Sequence, residues 1–205
     1  MNEPQRWVLA SGNRGKLSEI AALFRESALT NVELLAQSQF GVEPPPETAS
    51  TFMENAFIKA RHAAQRTGLP AIADDSGLNV DALGGAPGVL SARFAGPDAD
   101  DRANVLKLLE ALAGVPSGAR GASFHCVLVA LRSSEDPAPI TVSGRWRGEI
   151  AFRPASGSGF GYDPVFFDPK LGMTAAELAP RVKNEVSHRG QALRRLIQAL
   201  RRDVR

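Results

Sequence analysis

Between Arg6 and Ser11 the chain carries the apolar run Trp-Val-Leu-Ala, broken by Gly12-Asn13, which predicts a short strand. Leu17, Ile20, Ala21 and Phe24 then recur at helical spacing and share one face. Val32–Ala36 reads as a second strand, and Gly41–Pro46, which ends in three consecutive prolines, as an irregular loop. Thr51-Phe52-Met53-Glu54 has the capping-box pattern, a hydroxyl followed three residues later by Glu, and opens a helix running to about Arg66. Gly68 fits its stop signal. Leu69–Ala73 is a short apolar stretch that suits a buried strand. Its end, Ala73-Asp74-Asp75-Ser76-Gly77-Leu78, places two carboxylates where the apolar pattern gives way to turn chemistry. Gly84-Gly85, Pro87-Gly88 and Gly96-Pro97 punctuate the next stretch as loops. Val105, Leu108, Leu109 and Leu112 mark a helix with Asp98 or Asp100 near its start. Ser123–Arg132 and Pro139–Ile150, joined by the polar Ser133–Asp136 turn, predict an antiparallel hairpin. Leu193, Leu196, Ile197 and Leu200 give a last amphipathic helix. Early strand–helix alternation followed by a hairpin predicts an α/β fold with a mixed sheet.

Composition narrows the chemistry. The 205 residues suit one domain, or one domain with a second lobe, and 43% hydrophobic with 22% charged residues is ordinary for a globular chain. Twenty-four Lys plus Arg against 22 Asp plus Glu leave a formal charge of +2, which argues against general polyanion binding. A single cysteine, Cys126, excludes an internal disulfide framework and a Cys-rich zinc module, and three histidines argue against a His-rich metal site. No apolar run approaches the ~18 residues of a membrane helix. The opening Met-Asn-Glu-Pro-Gln-Arg lacks the pattern of a signal peptide. The expectation is a cytoplasmic protein working with carboxylates, amines and backbone.

Four clusters could carry that chemistry. Ser11-Gly12-Asn13-Arg14-Gly15-Lys16 lies between strand and helix, where helix-start N–H groups and a lysine make an anion site. Its glycines are too close for a Walker A loop, and a simple tight turn is the plain alternative. Asp74 and Asp75 are adjacent, so in extended backbone they point to opposite faces, and one of them faces a given pocket. Oxygen ligands without His or Cys favour Mg²⁺ or Mn²⁺; the alternative is a pair of turn carboxylates. Phe160-Gly161-Tyr162-Asp163-Pro164 could stack a planar base or pack two aromatics into the core. Ser187-His188-Arg189-Gly190 heads the last helix, with Lys183 just upstream. His62 reads as a surface residue, His125 and Cys126 as structural ones.

In order along the chain these segments, with Glu47-Thr48, Gly84–Gly88 and Ser91-Ala92-Arg93-Phe94, resemble the inosine triphosphatase family of non-standard purine nucleoside triphosphate pyrophosphatases, from residue 11 to residue 190. The family usually begins its first motif with Thr; Ser11 keeps the hydroxyl. The resemblance implies one domain over 1–205: an elongated mixed sheet with flanking helices and two lobes around a central cleft. It further implies a homodimer, Mg²⁺ dependence, and hydrolysis of ITP, dITP and XTP to monophosphate and pyrophosphate, without membrane or nucleic-acid partners. Carried over by position, Ser11, Gly12, Asn13, Arg14, Gly15 and Lys16 hold the triphosphate. Asp75 is the proton acceptor and a metal contact, with Ser76 beside the substrate. Phe160, Gly161, Tyr162, Asp163, Lys183, His188 and Arg189 line the nucleoside. Glu47 and Lys59 match positions near the reactive end, Glu47 as second magnesium ligand, with Glu43 a nearby alternative. His188 or Arg189 is expected to read the 6-oxo group of the base. Two other readings stand beside this one. The first is a pyrophosphatase for other modified nucleotides, such as methylated pyrimidines. The second is a nucleic-acid or nucleotide-binding module using Arg189, Arg194, Arg195, Arg201, Arg202 and Arg205, a run that also fits a solvated helix face.

Overall fold

The structure, a computed structural model, describes residues 4–27, 29 and 32–203, and the side chains of Arg14 and Asp203 lie outside that description, as does Arg205. The elements follow in the order β1 (Gln5–Ala10), α1 (Arg14–Glu26), β2 (Val32–Ala36), α2 (Phe52–Thr67), β3 (Ala71–Val80) and α3 (Asp101–Ala111). Then come β4 (Gly121–Leu131), β5 (Ile140–Ile150), β6 (Phe166–Asp168), β7 (Met173–Thr174), α4 (Pro180–Val186) and α5 (His188–Asp203). One seven-stranded sheet has the order β2-β1-β3-β4-β5-β6-β7. β1 pairs in parallel with both β2 and β3, whereas β6 pairs antiparallel with β5 and β7. The sheet is therefore mixed, as the strand–helix alternation predicts.

The chain forms two compact units: Met1–Asp75, Cys126–Gly144 and Arg189–Arg205 make the first, Ser76–His125 and Arg145–His188 the second. Two of the chain's crossings between units fall inside motifs singled out above, at Asp75–Ser76 and His188–Arg189.

In the first unit the period of two along each strand sorts its residues onto two faces. Trp7 and Leu9 of β1, Ile72 of β3, and Cys126, Leu128 and Ala130 of β4 pack with Ile20 and Phe24 of α1 and with Leu193, Leu196, Ile197 and Leu200 of α5. Val8, Ala10, Ala71, Ala73, Val129 and Leu131 point the other way, onto an alanine stripe of α2: Ala56, Ala60, Ala63 and Ala64. Small side chains let α2 approach the sheet closely. With α1 and α2 on opposite faces, β1 and β3 are neighbours at a switch in strand order. In parallel α/β sheets such a switch opens a crevice at the strands' carboxyl ends. Ala10 pairs with Ala73, so the turn after β1 emerges beside Asp74 and Asp75.

In the second unit Leu78, Val80, Val105, Leu108, Leu112, Phe124, Trp146, Ile150, Tyr162 and Phe166 form the core. Trp146 donates its indole N–H to Asp168 Oδ2 at 2.7 Å, which satisfies two buried polar groups at once. Arg120, also buried, spends its guanidinium on the carbonyls of Leu112, Val115, Ile150 and Ala151.

Several sequence expectations shift. β3 does not give way to turn chemistry at the aspartates; it continues to Val80, with Asp74 and Asp75 buried in mid-strand. The strand tolerates them because each carboxylate meets a cation from a neighbouring helix, so no turn is needed to solvate it. α4 escapes the apolar pattern because it has seven residues and opens on Pro180, which reads as a breaker but sits in the first turn, where its missing N–H costs nothing. β6 and β7, at three and two residues, are too short to show a period.

Thr51 caps α2: its Oγ1 accepts the Glu54 amide at 3.2 Å, while Glu54 Oε2 takes the Thr51 hydroxyl at 2.7 Å rather than the backbone N–H of a full capping box. Thr51→Ala should cost about 1 kcal/mol and lower the melting temperature by roughly 2–4 °C. A thermal melt checks this, and an unchanged midpoint would show that the cap does not hold α2.

Candidate functional site

At the carboxyl end of β1 and the middle of β3, four carboxylates and three cations of the first unit interlock. Asp74 points to the α1/α5 face, where its Oδ2 lies 3.2 Å from Lys16 Nζ and 3.9 Å from Arg189 Nε. Arg189, at the head of α5, also pairs with Glu19 of α1. Asp75 points to the α2 face, where Oδ1 accepts from Lys59 Nζ at 2.8 Å and Oδ2 faces the Asn55 amide at 3.4 Å. Lys59 Nζ also donates to Glu47 Oε1 at 2.9 Å, so a single ammonium brackets two carboxylates.

The loop carrying Glu47 is pinned at several points. The Ala49 amide donates to Asn55 Oδ1 at 3.0 Å, and the Glu43 carbonyl lies 3.1 Å from His62 Nε2. Pro44 packs on Gly12 so closely that a Cβ there would stand 2.9 Å from Pro44 Cγ. The Glu47 carboxylate shares Lys59 with Asp75, whereas the Glu43 side chain is exposed.

The two aspartates carry opposite electrostatic signatures. Lys16, Arg189 and Lys59 overcome complete burial and hold Asp74 well below the usual carboxylate range. Burial, aided by the charge of Glu47, raises Asp75 above its ordinary value despite Lys59 and Lys16. Lys59 is raised as well, because Asp74, Asp75 and Glu47 together outweigh its own burial. Cys126, fully buried, is pushed up to about 12, chiefly by burial.

The turn after β1 is prepared for an anion. Asn13 caps α1 by accepting the Lys16 amide at 3.0 Å, and its own amide donates to Ser11 Oγ at 3.2 Å. The amides of Arg14 and Gly15 open the helix, where geometry offers no intrahelical acceptor. The expectation for the Arg14 side chain lies outside the described residues.

In the second unit Asp163 organises the aromatic turn. It accepts the Phe160 amide at 3.0 Å and the Lys183 ammonium at 2.6 Å, and Gly159 leaves room for its carboxylate. Lys183 Nζ sits 5.1 Å above the Phe160 ring. Gly161, with φ of 61°, gives its amide to Asp101 at 2.6 Å. Tyr162 differs from the expectation of a nucleoside-lining ring. It is buried in the core with its hydroxyl bonded to the Ser91 carbonyl at 2.8 Å, because the glycine turn folds this aromatic inward. Phe160 stays partly exposed and is the ring available for stacking. His188 is buried and stacks on Phe124 at 4.7 Å between centroids. Ser76 follows Asp75 on β3 and is partly buried.

The structure thus brings together Ser11, Asn13, Lys16, Glu47, Lys59, Asp75 and Arg189 within the first unit, and Phe160, Asp163 and Lys183 within the second. The sequence reading names Asp74 only as one of the carboxylate pair, with no role of its own, and does not single out Glu19 or Asn55 as site residues. One signal was legible: Asn55 and Lys59, four apart, are the two polar members of the buried alanine stripe of α2. Elsewhere in α5, Arg194, Arg195, Arg201 and Arg202 are exposed opposite its apolar face, and Arg195 donates to the Ser143 carbonyl.

The carboxylate environments predict opposite stability effects. Asp74→Asn strips Lys16 and Arg189 of a buried partner and should cost about 3–5 kcal/mol at neutral pH. That deficit should shrink on acidification, because a lowered native pKa contributes stability that is lost as pH falls below 3.8. A raised native pKa does the reverse: the contribution of Asp75 is complete below 3.8 and is lost as pH climbs through its native value. Asp75→Asn should therefore stay within about 1 kcal/mol of the parent at pH 7 and compare less well in acid. Melting curves from pH 3 to 7 check both signs; equal deficits in the two variants would contradict them.

The chain is similar to known proteins over nearly its whole length. A dITP/XTP pyrophosphatase of Yersinia pseudotuberculosis is 59% identical over 197 residues, covering 96% of this chain and 98% of its own length. One from Escherichia coli O157:H7 is 56% identical over the same span. The solved structure of a HAM1 protein from Coxiella burnetii superposes with a TM-score of 0.88 at 50% identity, covering 97% of this chain and 99% of its own. Residues 7–199 match the Ham1 family over strand, turn and carboxylate motifs alike, and the chain belongs to that family.

Proposed function

We propose that this chain hydrolyses non-standard purine nucleoside triphosphates, with ITP, dITP and XTP as substrates, to the monophosphate and pyrophosphate. The observation that carries the reading is the Lys59 ammonium held between Glu47 and Asp75, beside a capped helix start that presents Lys16. The dITP/XTP pyrophosphatases that resemble the chain over nearly its whole length support it.

The residues divide the work. Lys16 and the first amides of α1 neutralise the phosphates and stabilise the departing pyrophosphate. Asp75 takes the proton of the water that attacks the α-phosphorus. Its burial raises its proton affinity, which suits a base better than the ~3.9 of an exposed aspartate. Lys59 orients both carboxylates. Phe160 offers a face to the base, and Lys183 and His188 are donors matched to a 6-oxo acceptor, which adenine lacks.

The donor set also fits Mg²⁺. That ion binds oxygen and commonly uses one or two carboxylates completed by substrate phosphates. Glu47 and Asp75 converge on one ammonium, and the interlocked groups, four carboxylates against three cations, are one positive charge short. Glu47 and Asp75 would hold the ion. When bound it would polarise the phosphate and lower the pKa of a water. The homodimer and the cytoplasmic location implied by the family resemblance belong to the same proposal.

A triphosphate panel with pyrophosphate detection tests the function. ITP and XTP should exceed ATP in kcat/KM by about 10²–10⁴, as a site that hydrogen-bonds its base can discriminate. EDTA should abolish turnover, and full activity in EDTA would remove the metal. Equal rates with ATP, preference for a methylated pyrimidine, or stepwise release of orthophosphate would overturn the reading.

A further inference from the structure

Resting on the reading of Lys16 as a phosphate-binding cation, we propose that Asp74 is a positioning residue for Lys16, and that Arg189, anchored by Glu19, keeps Asp74 paired when Lys16 turns to the substrate. Asp74 is fully buried, and the same oxygen, Oδ2, faces both Lys16 Nζ at 3.2 Å and Arg189 Nε at 3.9 Å. The two cations are not equivalent. The Lys16 side chain keeps 16% of its surface exposed, on a flexible unbranched stem, whereas Arg189 keeps 4% and is tied to Glu19 of α1.

This arrangement resolves a conflict in binding a polyanion. An ammonium waiting in solvent is mobile and loses that freedom when a ligand arrives, which weakens binding. An ammonium held by a single buried carboxylate is preorganised, but leaving would strand a buried charge, and that is strongly unfavourable. A second, immobile cation on the same oxygen removes the penalty while preserving the preorganisation. Glu19 completes the device: it lies on α1 one helical turn after Lys16, so the helix that carries the mobile cation also anchors the fixed one. The pairs on the opposite face are arranged differently. There Lys59 is shared between Asp75 and Glu47 and stays with its carboxylates.

Calorimetric titration with inorganic pyrophosphate and Mg²⁺ tests this in the full chain, with the parent, Asp74→Asn, Lys16→Ala and the double variant. Each single substitution should weaken binding by about tenfold, the scale of one charge-assisted hydrogen bond. The double variant should bind no more weakly than Lys16→Ala alone, because Asp74 acts through Lys16. A purely structural role for Asp74 would instead multiply the two losses to about a hundredfold. Parent-like affinity in Asp74→Asn, or multiplied losses in the double variant, overturns the proposal. If Lys16→Ala binds pyrophosphate like the parent, the phosphate reading itself fails, a result distinguishable from the first. Should Asp74→Asn not fold, Asp74→Glu carries the test. It keeps the buried charge but displaces the oxygen, and should melt near the parent while binding pyrophosphate about three- to tenfold more weakly. Parent-like affinity there also overturns the proposal.

Discussion

Two consecutive carboxylates in the middle of one strand are the constraint on which the rest of the site depends. A β-strand sends neighbouring side chains to opposite faces, so Asp74 and Asp75 cannot share an environment. Neither could remain charged in the sheet alone, because an unpaired buried carboxylate is far too costly. Each face must therefore bring its own cation. α1 and α5 supply Lys16 and Arg189 to one, and α2 supplies Lys59 to the other. The helices are placed by apolar packing against the same strands, so the fold and the electrostatics are specified by one alternation of residues.

The consequence is a division of labour. Asp74 sees three cations and no solvent, and its negative charge is secured. Asp75 shares its close ammonium, Lys59, with Glu47, and burial outweighs the cations that act on it. That contrast is what the proposed function draws on when it takes Asp75, and not Asp74, as the base. The near-neutral total of the chain, +2, conceals this local imbalance.

Much of this was legible in the residues because its physical causes are local. The strand of Val32–Ala36, the Thr51 cap, the αL glycine after α2 and the apolar face of α5 each follow from a short pattern and its chemistry. The opposed directions of Asp74 and Asp75 follow from strand periodicity. What the pattern misassigned was decided by distant partners. The continuation of β3 through two aspartates depends on Lys16, Lys59 and Arg189, up to 115 positions away by their numbering. Tyr162 turns into the core because Ser91 offers a carbonyl, and Asn55 joins the site because it holds the Glu47 loop. No local window contains those partners.

The assignment of scaffold to Asp74 and chemistry to Asp75 is tested most directly by rapid-quench measurement of pyrophosphate release from saturating ITP in Asp75→Asn and Asp74→Asn side by side. Asp75→Asn should lose at least about a thousandfold in kcat, within the range of removing a general base, while Asp74→Asn, which acts only through Lys16, should lose about tenfold. Near-parental kcat in Asp75→Asn, or an equal loss in both variants, would contradict it.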